Sequence, residues 1–308
     1  MQIVPEIPGA VLIVKGDTVL ADVATAGCAP HTRFQIASLS KQFTAAAVLL
    51  LAQRGVLALD DRIGRWVEGG PPSWRAITLH QLLAHTSGLG HWDEYPMIDL
   101  FQPMEPSALL EAFHAVPPLF AAGGGWHYSS PGYVLLAHVV EQATGRPYRG
   151  VLAADVFAPL DMAATFAGSP GQRPDVAPGH DGAGRPVPSF DLDVVGMGAG
   201  DVWSTTGDLV RWIDGLRAGR LLDERHRALM LTEHATTGAG PGSRGYGYGW
   251  FVGSVAGEPW FHHDGANAGF RAYAACLPTS DRRVVVLSNS EATNMAVFND
   301  VVTAALRL

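Results

Sequence analysis

The sequence predicts an α+β fold, in which both ends of the chain build one antiparallel sheet and a helical lobe is inserted between them. Three observations point there. Short strand-like runs cluster near residues 9–23 and again over 246–289. Helical periodicity with matched start and stop signals fills much of the stretch between. The chain has 308 residues, enough for one large domain or two lobes around a sizeable core.

Taken in order, residues 9–23 read as a hairpin, because AVLIV and TVLADV flank the turn-forming Lys15-Gly16-Asp17. Residues 34–55 carry apolar side chains at 36, 39, 43, 46, 47, 50 and 51, a helical period that stops at Gly55. A short helix over 79–84 follows Thr78, and Gln81 completes a capping-box signature. The next helix, 131–143, starts with a proline after Ser130 and stops at Gly145. The stretch 165–200 is rich in Gly and Pro and reads as long irregular loops. A helix over 205–218 has Ser204 or Thr205 as its cap and Gly219 as its stop. Four strand-like runs close the chain: YGYGWFVGSV, EPWFHH, GFRAYAACL and RRVVVLSN. Two strands at the start and about three at the end give one antiparallel sheet. The expected division is an α/β lobe over 1–59 and 198–308 and a helical lobe over 60–197. No internal repeat or low-complexity tail is present.

Composition narrows the function. Hydrophobic residues make up 47% and charged residues 16%, which excludes a disordered chain. A net charge of −8 and the lack of a Lys/Arg run argue against a nucleic-acid partner, since no cluster would release phosphate counterions. The longest apolar run, 43–52, is too short to span a bilayer, so no membrane partner is expected. With no basic segment and long apolar core at the start, a cytoplasmic location is expected. Cys28 and Cys276 fit no metal or redox spacing and read as two buried free thiols. Basic residues are 19 Arg and only two Lys, Lys15 and Lys41, so a retained lysine asks for an explanation. Lys15 has one as a solvated turn residue.

Lys41 has a different one. Ser38 and Lys41 sit three apart at the start of a predicted helix, so their side chains share a face. A lysine stripped of water beside the positive end of a helix can be neutral enough to take the Ser38 proton. Arginine cannot do this, because its guanidinium stays charged. Tyr128, in Tyr128-Ser129-Ser130, stands just before a helix, where its phenol could relay a proton or act as base. The competing structural reading has Ser130 capping that helix and Tyr128 keeping its hydroxyl in water. A third element is Phe261-His262-His263-Asp264-Gly265-Ala266. The two histidines point to opposite faces of a strand, so at most one lines a given cleft and a metal pair is disfavoured. Gly265 would let a substrate backbone approach closely. No Gly-x-Ser-x-Gly elbow, phosphate loop or dinucleotide fingerprint occurs, and no cofactor or metal is implied.

Together, Ser38-x-x-Lys41, Tyr128-x-Ser130 and His263-x-Gly265 resemble the serine β-lactamase and penicillin-binding-protein superfamily, closest to its class C-like branch of esterases, D-amino-acid peptidases and transacylases. LLAHTSGL (82–89), VLALDDRI (56–63), DVFAPLDM (155–162), GAGDVWSTTGDLVRW (198–212) and RRVVVLSN (282–289) add to the resemblance, which covers nearly the whole chain. It implies a five-stranded antiparallel sheet flanked by terminal helices beside an all-helical lobe. It also implies an acyl-enzyme on Ser38, proton transfer shared by Lys41 and Tyr128, His263 at a third corner, and an oxyanion held by the N–H groups of Ser38 and Ala266. Many members have Asn where Ser130 stands, which alters how a substrate amide is held. Penicillin-directed members usually have Lys where His263 stands, so a fixed counter-charge for a substrate carboxylate is weaker, with Arg271 as a substitute. The expected activity is serine hydrolysis of a small ester or amide. Alternatives are transfer of the acyl group to an alcohol or amine acceptor, a D-amino-acid peptidase or weak β-lactamase, and a non-catalytic receptor that stays acylated. Trp92, Tyr95 and Phe101 are candidates for an apolar pocket wall. Oligomeric state has no signal in the sequence.

Overall fold

The structure, a computed structural model, describes residues 7–238 and 243–307. Strands β1 (Gly9–Lys15) and β2 (Thr18–Ala24) form the predicted hairpin, and β3 (Phe34–Gln35) leads into helix α1 (Ser40–Gln53). Helices α2 (Leu79–Leu83), α3 (Pro106–Ala115), α4 (Ser130–Thr144) and α5 (Tyr148–Val151) follow. The Gly/Pro-rich segment is mostly irregular, as expected, and carries only the short strands β4 (Phe166–Ala167), β5 (Gly179–His180) and β6 (Pro186–Val187). Then come β7 (Val202–Ser204), α6 (Thr206–Arg217), α7 (Glu224–Leu231), β8 (Ser243–Tyr246), β9 (Phe251–Val255), β10 (Glu258–Asn267), β11 (Phe270–Leu277), β12 (Arg282–Ser288) and α8 (Ala296–Arg307).

The main sheet is antiparallel and has the order β2-β1-β12-β11-β10-β9-β8. It has seven strands where five were expected. Two local reasons account for it: all four closing runs form strands where about three were counted, and the run that begins at Tyr246 does not stay extended but turns back between β8 and β9. Gly249 has φ +75 there, and a Cβ on it would lie 2.8 Å from the Gln42 Cα, so the turn packs against the backbone of α1. Both chain ends meet in the middle of the sheet, where Gly9 to Lys15 pair residue by residue with Ser288 to Arg282. One face is covered by α8 through Phe298, Val301, Val302 and Ala305. Of the terminal helices the resemblance implies, α8 at the C-terminal end is seen among the described residues.

Helix α1 is buried nearly all round, from Ser40 to Leu51, because its sequence is apolar on every side rather than on one stripe. It runs through the centre of the larger core, against α4. The predicted caps hold at α2, where Thr78 and Gln81 bond each other's backbone N–H groups, and at α6, where Thr205 accepts from Asp208 N. At α4 the cap falls one residue earlier than expected. Ser129 accepts the Gly132 N–H at 3.0 Å, leaving Ser130 free for another contact. Cys276 is buried, whereas Cys28 is only half-buried, because its turn at 25–28 lies at the surface. No described helix is long and apolar enough to cross a membrane.

Candidate active site

Ser38 lies in a tight 3-10 turn, Ala37–Leu39, that feeds directly into α1. Its position is fixed from two sides. The Ile36 N–H donates to Val202 O at 2.9 Å, and the Ser40 hydroxyl accepts from Val202 N at 3.0 Å. From the other side β10 presses close, and a Cβ on Gly265 would sit 2.5 Å from Ile36 O and 3.1 Å from Ser38 N. Gly265 thus admits the Ser38 turn itself, where its sequence context suggested close approach of a substrate backbone. Ala37, just before Ser38, has φ +50, an uncommon conformation for alanine that the packing of this turn imposes.

Lys41 is fully buried on the first turn of α1. Its Nζ lies 3.2 Å from Ser38 Oγ, 3.1 Å from Ser130 Oγ and 2.7 Å from Ala199 O. Burial pulls the amine down to about 7, against the fields of Asp201 and Asp264, which favour the ammonium. A neutral amine has two N–H donors and one lone pair. With one donor on Ala199 O, the lone pair and the second donor are left for the two hydroxyls.

Tyr128 lays its ring beside this amine, with Nζ 4.9 Å from the ring centroid. Its hydroxyl is buried and completes no hydrogen bond, although Ser38 is near enough to favour its anion. The expectation of a water-exposed hydroxyl therefore fails. Burial holds the phenol well above its ordinary pKa, which favours its protonated form.

Two histidines hold the turn that carries these groups. The Ser129 N–H donates to His85 Nδ1 at 3.1 Å, and the Ser130 N–H donates to His91 Nδ1 at 3.2 Å. Both imidazoles must be neutral to accept, and burial pushes His91 down to about 4 and His85 well below its ordinary value. These N–H groups belong to the start of α4, which has no intrahelical partners for them.

The neighbouring cleft has a volume of about 270 Å³. Ser38, Ser130 and Ala266 line it, with Trp92, Leu100, Phe190 and Val195 as apolar walls and Asp93 at the wall. Strand β9 pairs with β10 only as far as His262, so the Asp264–Asn267 edge extends past it toward the Ser38 turn. Lys41 and Tyr128 sit behind the cleft rather than in its lining.

Two expected residues do not line the cleft. His263 is buried with Nε2 3.0 Å from the Tyr246 hydroxyl and Nδ1 2.6 Å from Asp264 O, and burial drives it down to about 3. It is a neutral strut, and its partner Tyr246 gave no signal in the sequence. His262 faces the opposite side, stacked on Trp260 at 3.8 Å, as strand alternation requires. Arg271 donates to Asn267 O at 3.0 Å and Phe270 O at 2.8 Å and does not line the cleft, so it supplies no counter-charge there. Of the three pocket candidates, Trp92 lines the cleft. Tyr95 is core, packed on Phe113, and Phe101 reaches the cleft only through Phe190. The sequence reading missed His91, Asp93, Phe190 and Asp201. His91 lies two residues beyond the noticed LLAHTSGL segment, and that proximity was the available clue.

Known proteins resemble this chain along nearly its whole length. The pattern of the beta-lactamase family matches residues 4–307. Penicillin-binding protein 4* of Bacillus subtilis is 36% identical over 140 residues, covering 43% of this chain and 30% of its own length. Esterase EstB of Burkholderia gladioli is 30% identical over 268 residues, covering 74% of this chain and 68% of its own. The solved structure of a penicillin-binding protein from Bacillus halodurans superposes with a TM-score of 0.85 at 26% identity, over 98% of this chain and 95% of that one.

Proposed function

The chain belongs to the beta-lactamase family, and from that premise we propose that it is a serine hydrolase acting on a small ester or amide through an acyl-enzyme on Ser38. The observation that carries the proposal is a buried amine, Lys41 Nζ, 3.2 Å from one hydroxyl and 3.1 Å from a second. The neutral amine takes the Ser38 proton as Oγ attacks the carbonyl carbon. The new C–O bond pushes the carbonyl electrons onto oxygen, where the N–H groups of Ser38 and Ala266 receive them. Collapse expels the alcohol or amine, which takes the proton from the Lys41 ammonium by way of the Ser130 hydroxyl. Water then attacks the acyl carbon and gives up a proton to the neutral Lys41 amine. On collapse the acid departs and Ser38 Oγ takes that proton back from the Lys41 ammonium, with the Tyr128 phenol beside it as a hydrogen-bond donor.

Charge selects among substrates. Asp93 lines the cleft and, among the described residues, no lysine or arginine does. A neutral or cationic substrate is therefore favoured over a carboxylate-bearing penicillin. Esterase EstB, an esterase by name, is one relative in keeping with this reading.

Intact-mass measurement tests it. Exposure to an activated ester is expected to give a transient acyl adduct that Ser38→Ala lacks. A penicillin should give little or no adduct over the same time, and a fluorophosphonate a permanent one. No adduct from the ester, or an equal one on Ser38→Ala, overturns the proposal.

A further inference from the structure

A second cavity, of about 470 Å³, exceeds the cleft in volume and shares a wall with it. The wall is the 192–201 segment. Leu192, Val194, Met197 and Asp201 line the second cavity, whereas Val195, Gly196, Ala199 and Gly200 line the cleft. This same segment supplies Ala199 O to Lys41 Nζ. It is also pinned by Thr44, whose hydroxyl donates to Gly198 O at 2.6 Å and meets the Tyr148 hydroxyl at 2.7 Å.

Asp201 is 1% exposed. Its carboxylate accepts the Gly198 N–H at 3.1 Å and a hydrogen bond from its own backbone N–H, and among the described residues no cationic side chain forms an ion pair with it. Burial raises this carboxyl to about 7, and its field acts on Lys41. His138 lines the same cavity with its Nε2 buried and unpartnered. The remaining charges are largely committed: Arg149 pairs with Asp193 at 3.0 Å, and Glu141 accepts the Tyr148 N–H at 2.8 Å and lies 3.8 Å from His138 Nδ1. Three carboxyl groups thus face one guanidinium, with Leu110, Leu192, Val194 and Met197 as apolar wall. A buried carboxylate without a countercharge in contact is costly, and a bound cation offsets that cost.

We propose that this cavity binds a small organic cation, a protonated amine on a short hydrocarbon body, whose ammonium pairs with Asp201 and whose occupancy is felt at Lys41 across the shared wall. The sign follows from the charges. An ionised Asp201 stabilises the Lys41 ammonium; a bound cation cancels that field, so more of the Lys41 amine is neutral at a given pH. Binding itself strengthens from pH 6 to 8 as Asp201 ionises.

Calorimetry with N,N-dimethylbutylamine tests the site, because a tertiary amine cannot accept an acyl group to give an amide. The expected result is binding at pH 8 that survives blocking Ser38 with a fluorophosphonate within about 3-fold. It should weaken by about 10-fold or more in Asp201→Asn, in Val194→Trp, which fills the cavity from its wall, and with the uncharged 2-methyl-2-hexanol as ligand. No binding to the unmodified protein, loss of binding on blocking Ser38, or equal affinity in both variants overturns the site. This arm requires no turnover, so it reads independently of the proposed hydrolysis. A second arm rests on that hydrolysis: saturating amine should move the acidic limb of kcat/KM to lower pH by about 0.5 or more. An unmoved limb with intact binding overturns the coupling to Lys41.

Discussion

Lysine and arginine differ here in one property that decides the site. Only an amine can be brought to neutrality by burial, and Lys41 is buried completely with its pKa lowered to about 7. If it is the base, single-turnover acylation by an activated ester rises with pH about a midpoint near 7, since the ammonium below that value has no lone pair. Lys41→Arg is expected to cost about 10²–10⁴ in that rate, whereas Lys15→Arg, on the far end of β1, leaves it unchanged. Full turnover by Lys41→Arg would refute the amine's role. If Tyr128 takes part in the proton transfers, it does so through its hydroxyl, so Tyr128→Phe, which keeps the ring beside Nζ, should reduce turnover by about 10²-fold. A loss smaller than about 3-fold would remove the phenol from the mechanism.

At the scale of elements, two junctions hold the reacting groups together. The first is β10 against the Ser38 turn. Gly265→Ala places a methyl group 2.5 Å from Ile36 O, so either strand or turn must shift. The expected outcome is a loss of about 10-fold or more in kcat/KM with a stability cost of about 1–3 kcal/mol by thermal melting. Unaltered kinetics would show that the turn has slack. The second is the start of α4, where neutral His91 accepts the Ser130 N–H. In the unfolded chain this imidazole takes a proton near its ordinary value of 6.5, in the folded one only at about 4. The stability it lends is present above 6.5 and is lost as pH falls through about 4. His91→Gln retains an acceptor but cannot titrate, so the difference in melting temperature between the two proteins should change over that window and stay flat above it. Asp201, raised by burial to about 7, titrates with the opposite sign in both proteins and drops out of the difference. A flat difference throughout would rule out the imidazole as a buried acceptor.

Across the whole molecule the sheet joins the two chain ends, and α8 seals one of its faces. Phe298 stacks on Tyr273 with ring centroids 5.2 Å apart, far from Ser38 in the fold. Phe298→Ala should destabilise by about 3–5 kcal/mol through the cavity it leaves, with the kinetics of the folded fraction unchanged. Denaturant titration checks the first expectation. A changed kcat/KM at full folding would show that the outer face of the sheet reaches the site.

Much of this was legible in the chain itself because it rests on local chemistry. The hairpin turn at Lys15-Gly16-Asp17, the capping box at Thr78, the α6 cap at Thr205 and the three-residue spacing of Ser38 and Lys41 depend on neighbours a few positions apart, and such neighbours meet in any fold that forms the element. The local signal failed where long-range packing competes with it. The break between β8 and β9 answers to α1, the cap of α4 moved to Ser129 while Ser130 turned to Lys41, and the His263 ring went to Tyr246. Likewise Asp93, Phe190, His91 and Asp201 each reach the site from a distant segment, and no spacing in the sequence encodes that meeting. The sequence determined which groups were present and which adjacent pairs would touch. Tertiary structure decided their protonation, because the loss of water around Lys41, Tyr128 and the histidines comes only from the packing of segments far apart in the chain.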